Sequence, residues 1–166
     1  LQVLAIGWVF ALMAVSLNLI SGTTGQISLG HAGFVTLGAY ASAILTSRLG
    51  LPFSVSLLVS PVVAAAIGVL MCYPALRLRG QYLAIATLGL GEAISLIALN
   101  WESVTQGPLG ISGIQPASFF GYEVWSPAGV YLLDLAVLLA GVGVVYRLSR
   151  SHLGRALRAV REDEVA

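Results

Sequence analysis

Apolar runs separated by short polar breaks set the pattern of this chain. Leu1–Ile20, Ile27–Thr46, Phe53–Tyr73, Tyr82–Leu99 and Val130–Leu148 each approach the length a helix needs to cross a bilayer. Between them lie a glycine-rich turn (Ser21–Gln26), a short turn marked by Arg48, Gly50 and Pro52, an arginine-bearing link through Arg77 and Arg79, and a long connection, Asn100–Pro127. Pro61 sits inside the third run as an expected kink. The pattern predicts an all-α, polytopic bundle of about five spanning helices.

Two runs are unlike lipid-facing helices. The second mixes Gln26, Ser28, His31, Thr36, Tyr40 and Ser42 with Gly30, Gly33 and Gly38. Small residues let helices approach closely and polar ones bond across them, so this run belongs at the centre of a bundle. Its start is expected to be unwound at membrane depth, where protein or water must surround it. The fourth run, with the link before it, carries a stripe of small residues: Gly80, Ala84, Thr87, Gly91, Ser95 and Ala98. Glu92 also lies in it, and a carboxylate at the bilayer centre costs roughly 2.5–3.5 kcal/mol on insertion scales. Glu92 is therefore expected to face the protein interior, either as a protonated acid bonded to a neighbouring helix or as part of a pathway. His31, likewise, reads as a satisfied interior histidine or as a pathway group. Ser28, Thr36, Thr87 and Ser95 read most simply as interhelical hydrogen bonders.

Composition fixes the class. The chain has 58% hydrophobic and 9% charged residues, against about 25% charged in soluble domains. That is too little charge for a water-facing surface, so the protein is integral to a membrane. All eight basic residues are arginines, and five follow Tyr146. With alternating spans, Arg77, Arg79 and those five share one side, which the positive-inside rule makes cytoplasmic. Arg48 and the Asn100–Pro127 connection then face outward. Cys72 is the single cysteine, so no internal disulfide forms. The sequence shows no nucleophile with its base, no phosphate-cradling loop and no metal-ligand set, and a net charge of +1 gives no reason to expect nucleic acid.

The last 18 residues are too charged for lipid. Leu153, Ala156, Leu157, Val160 and Val165 recur at helical spacing, while Arg155, Arg158, Arg161 and Glu162 fall mostly elsewhere. This describes a short amphipathic helix. It either rests on anionic headgroups or docks into a groove of a cytoplasmic protein. Both chain ends look cut. The expected organisation is one transmembrane domain over 1–166, truncated at both ends, with 151–166 as its cytoplasmic segment.

Four strings in order carry a family resemblance: GQISLGHAGFVTLGAYASAILT at 25–46, LRLRGQYLAIATLGLGE at 76–92, LNW with GISGI at 99–101 and 110–114, and SHLGRALRAVREDEVA at 151–166. Together they resemble the LivM-type permeases of bacterial branched-chain amino acid ABC importers. The resemblance implies a subunit of the bacterial inner membrane that pairs with a second, LivH-type permease. It implies two cytoplasmic ATPase subunits that bind the ATP and magnesium, none of which this chain holds, and a periplasmic or lipid-tethered binding protein. Gly154, Arg155, Leu157, Arg158 and Glu162 then form the ATPase-coupling segment. Gln26, Ser28, His31, Thr87 and Glu92 line or support the substrate pathway. The chain departs from the family where uncharged residues, Ser95 among them, follow Glu92; an in-helix ion pair is missing. Rival readings are a related permease for urea or short amides, and an ion-coupled secondary transporter, which would need paired intramembrane charges or an inverted repeat.

Overall fold

The computed structural model describes the chain except residues 27, 74, 76, 77, 79, 115, 120, 121, 125, 153 and 158–166, and the side chains of residues 2, 119, 122 and 123. Five long helices appear: α1 (Gln2–Thr24), α2 (His31–Ser47), α3 (Phe53–Cys72), α4 (Gln81–Asn100) and, after the long connection, α6 (Pro127–Arg150). The connection holds a one-turn helix, α5 (Glu102–Thr105), a 3₁₀ turn at Gly107–Leu109, and a minimal hairpin in which Ser118–Phe119 (β1) pairs antiparallel with Tyr122–Glu123 (β2). Apart from that ladder, the regular structure among the described residues is helical.

Among the described residues, four helices are long and apolar enough to span a membrane: α1, α3, α4 and α6. α2 falls short of the expected run. It starts at His31 rather than Ile27 and has 17 residues, about 26 Å at 1.5 Å per residue. The cause is local. Gly25 ends α1 in the left-handed conformation (φ 72°), its N–H bonded to the Ser21 carbonyl, as a glycine C-cap does. Helix resumes only after Gly30. Much of the predicted polar turn, Ser21–Thr24, is instead the last turn of α1. There the hydroxyls of Thr23 and Thr24 donate to the carbonyls of Leu19 and Ile20.

The chain divides into two compact units, Leu1–Ser28 with Trp125–Ala166, and Leu29–Val124. In the first, α1 packs on α6. The Trp8 and Tyr131 rings meet at 5.9 Å, tilted by 57°, and a side chain at Gly141 would run into Leu12. α6 begins with the Ser126 side chain accepting the Gly129 N–H and with Pro127 at its first turn. It ends with Arg147 and Arg150 in its last turn, where cations suit the helix dipole. The Arg150 guanidinium lies 4.3 Å over the Tyr146 ring.

In the second unit, α2 packs against both α3 and α4. Small residues face the contacts: Gly33, Ala41, Ala43, Ser56, Ser60, Ala64, Gly68, Ala84, Thr87 and Ala98 are all buried. Ser56 is fully enclosed, and its hydroxyl lies 3.1 Å from that of Ser42. Such a bond holds helices where no water competes.

Candidate functional site

The tightest junction of the second unit lies where α2 begins. Gly30 and Gly33 press against Thr87 and Gly91 of α4. A Cβ at Gly33 would sit 2.9 Å from the Gly91 Cα, and one at Gly91 would sit 3.1 Å from the Gly30 Cα. A Cβ at Gly30 would strike the Thr87 carbonyl oxygen. Backbone therefore lies on backbone, which only glycine permits. The Thr87 hydroxyl donates to the Ala84 carbonyl at 2.9 Å and accepts the Leu29 N–H at 3.2 Å. The N-cap residue of α2, Gly30, has no side chain with which to cap it. The neighbouring helix supplies an acceptor for a backbone donor just ahead of it, and such donors are expensive to leave unmade in a membrane.

This geometry sorts the expected pathway residues. Thr87 and the half-buried His31, first residue of α2, belong to one junction. The Thr87 hydroxyl works structurally there, holding two backbone groups. Gln26 and Ser28 are half-buried in the glycine-bounded break that ends the first unit. The Gln26 N–H bonds the Thr24 hydroxyl at 3.3 Å.

Glu92 lies off the packed face of α4. It is exposed on α4 rather than turned into the bundle. Ala84, Thr87, Ile94 and Ala98 hold the buried face, since close packing with α2 needs small groups there. Glu92 follows Gly91, and one residue is a turn of about 100°, which carries it off that face. Gly89, three residues earlier, is also exposed, with nothing near the position of an added Cβ. The small-residue stripe is thus the packed face, and the acid lies beside it.

Further along the same unit, α2, α3, α4 and the connection after α4 line a half-open cavity of about 420 Å³. Its walls include Leu37, Ile44, Ile67 and Ile94, and Trp101 and Thr105 stand at one end. Two threonines and Tyr40 line it, and both threonine hydroxyls already donate to backbone carbonyls. Thr36 bonds the Ala32 carbonyl at 3.1 Å, and Thr105 bonds those of Ala98 and Trp101 at 2.6 and 2.7 Å. The cavity was not legible in the sequence, because side chains distant in the chain form it.

Of the coupling residues, Gly154, Arg155 and Leu157 are helical: Gly154 is buried, Leu157 half-buried and Arg155 exposed. Arg158 and Glu162 lie outside the described residues. The Ser151 hydroxyl donates to the Leu148 carbonyl at 2.7 Å and accepts the Gly154 N–H at 3.4 Å, so one residue ends α6 and starts the next turn. A side chain at Gly154 would collide with the Leu148 and Ser149 carbonyls. The turn is therefore folded tightly onto the end of α6. Among the described residues no three His, Cys, Asp or Glu come together.

Four long apolar helices among the described residues define a multi-pass membrane protein. The family described as "Branched-chain amino acid transport system / permease component" matches residues 1–166, and the chain belongs to it. It is 37% identical over 181 aligned residues to the high-affinity branched-chain amino acid transport system permease protein LivM of Escherichia coli (strain K12), and equally to that of Salmonella typhimurium (strain LT2). Each alignment covers 95% of this chain and 43% of the relative, so the chain spans less than half the length of these proteins. No solved structure matches it.

Proposed function

We propose that the full-length subunit passes branched-chain amino acids across the bacterial cytoplasmic membrane as one permease of an ABC importer. Its partners in this reading are a second, LivH-type permease, two cytoplasmic ATPases and a binding protein on the outer side. The observation that supports it is the match over nearly the whole chain to proteins named for this transport. In this reading Gln26, Ser28, His31, Thr87 and the exposed Glu92 line or support the pathway. Residues 154–162 meet the ATPase.

The test is uptake of labelled leucine, isoleucine and valine into vesicles holding the subunit together with the products of its neighbouring genes. Uptake is expected to require ATP and the binding protein. Transport of urea or short amides alone, or uptake driven by an ion gradient without ATP, overturns the reading.

Glu92 gives a sharper prediction. An exposed carboxylate on a spanning helix needs water or another protein segment beside it. If it serves as a protonated hydrogen bonder to that neighbour, Glu92→Gln keeps most of the uptake. Glu92→Leu is expected to lower it about three- to eighteen-fold, matching roughly 0.6–1.7 kcal/mol of interhelical bonding. Equal and total loss in both variants would mean that the charge itself is required.

A further inference from the structure

The cavity between α2, α3 and α4 has no place in the transport reading, and its chemistry argues against a free amino acid. A zwitterion entering it would bury an ammonium and a carboxylate, and each needs polar partners. The threonine hydroxyls on the walls already serve backbone carbonyls. Apart from the Tyr40 side chain, what the walls offer is almost wholly hydrocarbon. Along α2 the lining runs from Thr36 to Leu45, about 14 Å at 1.5 Å per residue. That is close to half of a hydrocarbon core about 30 Å thick, the depth of one leaflet.

The end of the slot is built differently. Trp101, on its wall, is exposed, as suits an aromatic at the membrane interface. Arg48, which follows the last residue of α2, donates from Nη2 to the Ser103 carbonyl at 2.7 Å. Ser103 immediately precedes Val104 and Thr105, both lining residues. This bond fixes an exposed guanidinium at the rim, with further N–H donors to spare. An apolar slot one leaflet deep, with an arginine and a tryptophan at its interfacial end, matches an anionic lipid: chain inside, phosphate at the arginine.

We propose that this slot binds one acyl chain of an anionic phospholipid, with Arg48 holding the headgroup phosphate. The site goes beyond the transport function and rests on the arginine-based orientation only for its leaflet, the outer one.

The test uses the full-length subunit with Trp101 as its sole tryptophan. It is reconstituted in phosphatidylcholine vesicles containing increasing mole fractions of acyl-brominated phosphatidylglycerol or acyl-brominated phosphatidylcholine, and bromine quenching of Trp101 fluorescence is read. Brominated phosphatidylglycerol is expected to half-quench at a mole fraction about fivefold lower, the preference that one arginine gives near an anionic surface. Arg48→Gln is expected to bring the two curves together, and Ala41→Phe, which fills the slot, to weaken quenching by both lipids. Equal curves in the wild type overturn the proposal, as does selectivity that survives Arg48→Gln. Absence of quenching by either lipid overturns it too, and would mean that a protein segment fills the slot.

Discussion

Gly30→Val is expected to separate α2 from α4 and to abolish transport by the full-length subunit. The reason is steric. The smallest possible side chain at Gly30 already overlaps the Thr87 carbonyl oxygen and comes within 3.3 Å of the Thr87 Cβ. Overpacking a core usually costs about 1–3 kcal/mol because side chains shift to make room. Here the obstruction is backbone, which cannot swing aside, so the cost lies at or above the top of that range. Separation also breaks the bond from the Leu29 N–H to Thr87, leaving a donor unmet at membrane depth. The measurement is the Tm of the purified subunit together with leucine uptake. Gly38→Ala serves as the comparison, since nothing lies within 4 Å of a Cβ built there. A Tm for Gly30→Val equal to that of Gly38→Ala would show that the close approach is not needed.

The same junction shows how far the sequence could be read. The glycines of the second run and the small-residue stripe of the fourth signalled close packing separately. That they pack on each other, Gly30 and Gly33 against Thr87 and Gly91, was beyond a pattern within single helices. The break before α2 was legible because Gly25, Gly30 and the polar residues between them are poor helix formers inside an apolar run. The sequence turned Glu92 away from lipid, toward other helices or a watery path, and α4 leaves it exposed beside its packed face. An acid in an apolar helix must avoid lipid, but the packed face of its own bundle is only one way to do so. Here that face was already claimed by residues small enough for backbone contact. The cavity was invisible in the sequence, because Leu37, Ile67 and Ile94 look like any other apolar residues until three helices are in place. Arg48 read as a lone outward charge, and its bond to Ser103 spans 55 residues of chain.

Leu157→Asp and Gly154→Val are both expected to uncouple ATP hydrolysis from uptake, by different routes. Leu157 is a half-buried apolar residue on a short turn otherwise exposed at Arg155 and Ala156. In a docked complex it is the anchor that enters the partner's groove, and such anchors contribute about 2 kcal/mol or more. Losing one lowers uptake roughly thirtyfold or more at fixed partner concentration. Gly154 acts one step away. Its lack of a side chain lets the turn lie on the Leu148 and Ser149 carbonyls, and Ser151 ties the turn to α6. A force on Leu157 or Arg155 thus reaches a helix of 24 residues through a joint with little slack. Valine at 154 forces that joint open, so the ATPase still docks but its movement is absorbed before it reaches α6. Binding separates the two cases. Leu157→Asp should release the ATPase on purification, whereas Gly154→Val should retain it and hydrolyse ATP without moving leucine. Normal uptake per ATP hydrolysed in both variants would show that the arginine-rich tail is not the lever, and its headgroup-resting alternative would then account for its arginines.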